Sequence, residues 1–363
     1  MRELIANPYR GRGLATIPGL PDEPVSTDID TARALFSKCP AAERTPLRAA
    51  LTLAEEIGVG RIDLKDERNR MGLGSFKALG AAYAIAKMAM VRASGDAVAA
   101  RNALHDTTFV CASAGNHGLS VAAGARLFGA KAVIYIAETV PEGFAARLEA
   151  KGATVIREGA DYDASMAAAL AAGSANGWFL LSDSSWDGYW APARDVMEGY
   201  LIMAGEVADA IDDPPTHIFL QAGVGGLAAA CTAAARTIWG DAPVITIVEP
   251  DRAPALQESI RAGRPVHAGG PDSNMGRLDC KEPSHLALAC LARKADFFMT
   301  IADDEADSAV ATLAGHGMET TPSGVAGIAG LLHLAPEVRD RLGIDGRSRV
   351  LAYVSEGSVD GGA

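Results

Sequence analysis

The sequence predicts an α/β fold of two three-layer domains, each an open and mostly parallel sheet between helices. Three observations carry this. Strand-like runs rich in β-branched residues alternate with alanine-rich helical stretches along most of the chain, which is the pattern of parallel βαβ units. Two glycine-bearing turns, at 113–118 and 222–227, each stand between such a strand and such a helix. At 363 residues the chain exceeds what one ordinary core organises, so two packed domains are expected.

In chain order, residues 1–39 are rich in Gly and Pro and poor in periodicity, so they read as an irregular arm on the body of the protein. Strands are expected at 108–112, 132–136, 154–156, 178–181, 217–221, 244–249 and 349–354, and amphipathic helices at 78–93, 119–128, 144–150 and 164–172. Asp212-Asp213-Pro214-Pro215 marks a surface loop that no helix can run through. There is no repeat of fixed period.

Composition narrows the function. Hydrophobic residues make up 49% and charged residues 21%, as in an ordinary globular protein. The formal net charge of -12 argues against nucleic acid or an anionic membrane as a standing partner. No apolar run approaches the roughly 20 residues that span a bilayer. The first ten residues lack the apolar stretch of a secretory signal, so a cytoplasmic protein is expected. Five cysteines do not make a disulfide scaffold. Cys280 and Cys290 bracket a probable helix rather than a knuckle, and a disulfide between them stays open but unpromising in a cytoplasmic chain. The seven histidines show no paired ligand spacing, so no metal site is predicted.

Three segments carry chemistry. Lys77 stands between a glycine-rich turn and an alanine-rich helix. A lysine at a helix start opposes the macrodipole, and partial burial works the same way, so a neutral amine suited to Schiff-base formation is expected. The turn Cys111-Ala112-Ser113-Ala114-Gly115-Asn116-His117-Gly118 opens a helix, where small residues let backbone amides approach an anion. The turn Ala222-Gly223-Val224-Gly225-Gly226-Leu227 has the form of a phosphate nest. With Ala228 at the last position only the A variant of a dinucleotide fingerprint would pass, and no G-K-[ST] follows, so a P-loop is excluded.

Taken together these segments resemble the fold type II pyridoxal-phosphate enzymes, the tryptophan synthase β-like group. Ser75-Phe76-Lys77 is similar to their S-F-K, Leu64-Lys65-Asp66-Glu67 to the L-K-x-E of serine and threonine dehydratases, and Thr45-Pro46-Leu47 to the T-P-L opening their core. The resemblance implies that Lys77 bonds covalently to pyridoxal phosphate and later shuttles protons. It implies that Gly223, Val224, Gly225, Gly226 and Leu227 hold the phosphate. Asn116 would bond the phenolic oxygen, and Ser113, Ala114 and Gly115 would line the substrate carboxylate. His117 completes that set, with a packing role for its ring. Ser355, at the end of the last strand, would bond the pyridine nitrogen, a partner that leaves the ring a mild electron sink.

Longer stretches resemble the diaminopropionate ammonia-lyases: residues 71–80, 219–225 and 278–284, and Asp183-Ser184-Ser185-Trp186-Asp187-Gly188-Tyr189 beside their D-T-x-W-x-G-Y. Two departures stand out. Ala114 replaces the aspartate of their T-D-G-N-H-G, and Pro322 replaces the acidic residue before Ser323-Gly324. The resemblance implies α,β-elimination from a small β-substituted amino acid, diaminopropionate-like, giving a 2-oxo acid and ammonia. Lys77 or Asp183 would be the base. A serine, threonine or hydroxyaspartate dehydratase and a β-replacement synthase remain alternatives. The resemblance further implies a large cofactor domain from residues 1–103 and 188–363, a smaller mobile substrate domain at 104–187, and the cofactor in the cleft between them. A homodimer is implied, and no regulatory extension is expected after the last strand.

Overall fold

Alternation along the strands builds three layers twice over. In the computed structural model, which describes residues 3–15, 17 and 19–358, eleven strands form two sheets. They are β1 (Leu4–Ala6), β2 (Leu47–Ala49), β3 (Arg61–Asp66), β4 (Thr108–Ala112), β5 (Lys131–Ile136), β6 (Thr154–Arg157), β7 (Phe179–Leu180), β8 (His217–Gln221), β9 (Val244–Pro250), β10 (Phe297–Ile301) and β11 (Arg349–Val354). The larger sheet runs β1-β10-β9-β8-β11-β3-β2 and the smaller β6-β5-β4-β7. The smaller sheet is wholly parallel. In the larger one only the edge strands β1 and β2 run antiparallel. This is the open, mostly parallel architecture expected.

In the larger sheet Ile218, Leu220, Ile247 and Leu351 face one apolar cluster, with the Ala191–Ala210 and Gly226–Trp239 helices. Phe219, Val248, Ala352 and Val354 face the other, with the Pro322–Leu332 helix. In the smaller sheet Cys111 and Ile134 pack toward the Asn116–Leu127 helix, and Val110, Val133 and Tyr135 toward the Tyr162–Asn176 helix. Helices therefore cover both faces of both sheets, as parallel strands require.

The arm is more ordered than expected. It supplies β1, whose Leu4 pairs with Met299, and an Ile29–Phe36 helix capped by Asp28, which accepts from Thr31 N–H at 2.9 Å. A three-residue edge strand and an eight-residue helix are too short to show a period. Met1, Arg2, Thr16 and Pro18 of the arm, and residues 359–363 of the C-terminal unit, lie outside the described residues. Cys290 sits inside the His285–Lys294 helix, so it and Cys280 do not bracket a helix; all five cysteines are free thiols. No helix among the described residues is long and apolar enough to cross a membrane.

A buried charge cluster anchors the segment before Lys77. The fully buried Arg70 pairs with Glu67 at 2.7 and 2.8 Å and with Glu206 at 2.9 and 2.6 Å. Lys65 reaches Glu206 and the Thr45 carbonyl, each at 2.6 Å. Two cations face two carboxylates, so no charge is left uncompensated. The cluster is built from the T-P-L and L-K-x-E segments and locks the end of β3 to the long Ala191–Ala210 helix.

Candidate active site

Lys77 lies in one tight 3-10 turn, Phe76–Leu79, just before the Gly80–Arg92 helix. Ser75 starts the turn, its hydroxyl accepting from Lys77 N–H at 3.2 Å. Gly80 follows because a Cβ there would come within 2.7 Å of the Tyr200 ring. The lysine crosses to the smaller sheet's side, where Nζ stands 2.7 Å from Asp183 Oδ2. This contact overturns the expectation of a neutral amine. Burial does oppose the charge on Lys77, yet the Asp183 carboxylate outweighs it and raises the lysine above its ordinary value. Burial likewise works against ionised Asp183, but the Lys77 ammonium dominates and holds it well below the usual carboxylate range. The pair is an ammonium and a carboxylate.

The asparagine loop joins β4 to the Asn116–Leu127 helix. Ser113 Oγ accepts from the N–H of Gly115 at 3.3 Å and of Gly118 at 3.2 Å, folding the loop on itself. Ser113 N–H goes to the Tyr135 carbonyl at 3.1 Å. The Ser113 and Gly115 amides implied for a carboxylate grip are thus engaged within the chain. The N–H groups of Ala114, Asn116 and His117 have no partner among the described residues, and they point from a helix start, where an anion is favoured. A Cβ on Gly115 would meet nothing within 4 Å, so the loop opens onto free space. His117 is buried, and Nε2 donates to the Leu181 carbonyl at 2.8 Å. Burial lowers its pKa, so the ring is neutral. It ties this helix to the strand end that carries Asp183, which is a packing role.

The glycine loop follows β8. Gly225 has φ +100°, a conformation that favours glycine, and starts the Gly226–Trp239 helix. The N–H groups of Gly223, Gly225, Gly226 and Leu227 have no partner among the described residues. Val224 N–H is directed at the Cys280 thiol, which burial pushes up to about 11, so it is a neutral SH. A Cβ on Gly223 would come within 3.0 Å of Cys280 Sγ and of Leu278 Cα. The segment 277–280 therefore lies across this loop at backbone distance.

At the end of β11, Ser355 is buried, with its N–H on the Gly324 carbonyl and its own carbonyl accepting from Phe76 N–H at 3.0 Å. Its hydroxyl makes no hydrogen bond within the described residues. The neighbouring Glu356 was not singled out from the sequence, yet it organises this side of the site. Its Oε2 accepts from Asn116 Nδ2 at 2.5 Å and lies 3.0 Å from Arg277 Nε, and its Oε1 accepts from the Thr321 hydroxyl. Burial raises its pKa against the opposing pull of Arg277, Thr321, Lys77 and Asn116. Thr321 precedes Pro322, at the start of the Pro322–Leu332 helix. Only its place one residue after Ser355 could have signalled Glu356.

A lysine amine beside a carboxylate, facing two helix starts with unspent N–H groups, is the donor set of a cofactor that carries an aldehyde and a phosphate. The residues fit pyridoxal phosphate. The chain belongs to the family described as pyridoxal-phosphate dependent enzyme, whose model matches residues 39–356. Within it, the chain is 32% identical over 355 residues to diaminopropionate ammonia-lyase of Escherichia coli K12, covering 91% of this chain and 88% of that protein. It is 29% identical over 280 residues to human L-serine dehydratase/L-threonine deaminase, covering 76% and 78%. The crystal structure of the E. coli diaminopropionate ammonia lyase with an aminoacrylate-PLP azomethine reaction intermediate superposes with a TM-score of 0.88 at 27% identity, over 99% of this chain and 94% of that one. This protein is a pyridoxal-phosphate enzyme.

Proposed function

We propose that the protein is an ammonia-lyase that removes a β-substituent from a small amino acid, releasing a 2-oxo acid and ammonia. The observation that carries this is the Lys77–Asp183 contact at 2.7 Å, flanked by two sets of free backbone N–H groups. The relative named diaminopropionate ammonia-lyase, similar over most of both chains, supports the same reaction class.

Pyridoxal phosphate, when bound, supplies the electron sink that makes the α-proton of an amino acid labile. Lys77 is the residue to hold it covalently, and the amides of Gly223, Gly225, Gly226 and Leu227 are the ones to hold its phosphate. Ser355, with its spare hydroxyl, is assigned to the ring nitrogen, and Asn116 to the phenolic oxygen. The N–H groups of Ala114, Asn116 and His117 receive the substrate carboxylate, with the Ser113 hydroxyl proton as a further donor. Either Lys77 or Asp183 takes the α-proton, and their separation lets a proton pass between them. Residues 104–187 are proposed as a substrate domain that closes over the cleft, since both the asparagine loop and Asp183 belong to it.

The test is a panel of β-substituted amino acids, among them diaminopropionate, serine and threonine, assayed for 2-oxo acid. Release without an added nucleophile supports elimination. Product that forms only when a thiol or amine is supplied contradicts it in favour of β-replacement.

A further inference from the structure

We infer that Arg277 reads an anionic β-substituent, so that the preferred substrates are dicarboxylic β-hydroxy amino acids of the 3-hydroxyaspartate class. This rests on the elimination reading above and names its substrate.

The Arg277 carbonyl lies 3.2 Å from where a Gly223 Cβ would stand, and its N–H donates to Ser323 Oγ at 3.2 Å, so the backbone is fixed over the glycine loop. Its side chain reaches Glu356, the same carboxylate that Asn116 bonds. The guanidinium thus sits where the glycine loop, the asparagine loop and the end of β11 converge.

Its hydrogen-bonding capacity is unspent. Nε lies 3.0 Å from Glu356 Oε2 without the alignment of a hydrogen bond. Neither terminal nitrogen has a partner among the described residues, and the side chain keeps 27% of its exposure. Glu356 does not depend on this arginine alone, because Asn116 and Thr321 already bond its two oxygens. A guanidinium with two parallel N–H donors free matches a carboxylate in a fork that a lysine cannot reproduce.

The surrounding charges select the same ligand. Asp183 is already paired with Lys77, and Ala114 offers no carboxylate to an ammonium group. A β-ammonium would enter beside Arg277, where the one neighbouring carboxylate, Glu356, already has both oxygens bonded by Asn116 and Thr321, and like charges in a partly buried site repel. A β-carboxylate would meet the guanidinium. For 3-hydroxyaspartate the α-proton leaves to the base and the β-hydroxyl leaves with a proton as water. Hydrolysis of the resulting enamine consumes one water and releases ammonia. The net products are a four-carbon 2-oxo dicarboxylate and ammonia.

The experiment uses the holoenzyme, Arg277→Gln and Arg277→Lys. It measures kcat/KM for 3-hydroxyaspartate, serine and diaminopropionate, and calorimetric binding of succinate as a non-reacting dicarboxylate. In the wild type 3-hydroxyaspartate is expected to exceed both other substrates. In Arg277→Gln the ratio of kcat/KM for 3-hydroxyaspartate over serine should fall by about 10- to 100-fold, the range for a lost charge-assisted pair. Succinate should bind at least about tenfold more weakly, with Arg277→Lys intermediate. Loss of both substrates in equal proportion, with unaltered succinate affinity, would overturn the inference and leave Arg277 as a support for Glu356. Turnover of diaminopropionate ahead of 3-hydroxyaspartate in the wild type overturns it as well, while leaving the elimination reading intact. Absence of 2-oxo acid from all three substrates overturns the elimination reading itself.

Discussion

Replacing Asp183 by Asn tests the electrostatic core of the site. The carboxylate lies 2.7 Å from Lys77 Nζ. Coulomb's law at an effective dielectric of about 20 gives roughly 6 kcal/mol at that separation. Side chains 23% and 16% exposed are partly screened, so this is a ceiling. The sign follows from the pair: Asp183 raises Lys77, so removing it lets burial lower the amine's pKa. A lower pKa means more neutral amine at a given pH. Cofactor-free Asp183→Asn should therefore capture pyridoxal phosphate with a profile displaced to lower pH, followed by the growth of visible absorbance. Turnover should fall by about 10²–10⁴-fold as a proton acceptor is lost. An undisplaced capture profile would refute the ion-pair reasoning, whatever happens to turnover.

Other outcomes follow from the same geometry. Gly225→Leu places a side chain at φ +100°, with Cβ 3.0 Å from Ala287 Cβ and 3.1 Å from Leu256; cofactor affinity in equilibrium dialysis should weaken by tenfold or more, and unchanged affinity would put the phosphate elsewhere. Glu206→Leu strips one carboxylate from Arg70 and Lys65 and should cost about 3–5 kcal/mol in urea unfolding, as breaking a buried pair does; a loss under 1 kcal/mol would mean that Glu67 alone satisfies both cations. Ala114→Asp places a carboxylate in the asparagine loop in addition to Asp183 and should raise the turnover of D-diaminopropionate relative to the L-isomer; an unchanged D/L ratio would show that position 114 supplies no base.

Much of the architecture was legible because it rests on local patterns. The bounds of β4, β8 and β11 match the sequence reading, since each is a short β-branched or aromatic run before a turn. β3 escaped notice because Arg-Ile-Asp-Leu-Lys-Asp alternates charge like a surface strand, whereas it is buried from its second residue onward. Its charges are tolerated because each has a partner: Lys65 meets Glu206, Asp66 meets Arg48 and Arg68, and Asp63 meets Arg61. The site divides in the same way. Lys77, Asn116 and the glycine loop sit in motifs readable in isolation. The charge state of Lys77 does not, because Asp183 lies 106 residues away and reverses the effect of burial. Glu356 and Arg277 carry no motif of their own; only the fold brings them to Asn116. In the asparagine loop the Ser113 hydroxyl accepts from the Gly115 and Gly118 amides, a contact that only the folded turn brings about.

The most direct test of the central claim is to reduce the purified holoenzyme with borohydride, digest it and locate the cofactor by mass spectrometry. The account predicts a single pyridoxyl adduct, on the peptide that carries Ser75-Phe76-Lys77, and its absence together with the visible absorbance in Lys77→Ala. An adduct on another lysine, or one that persists in Lys77→Ala, would contradict it.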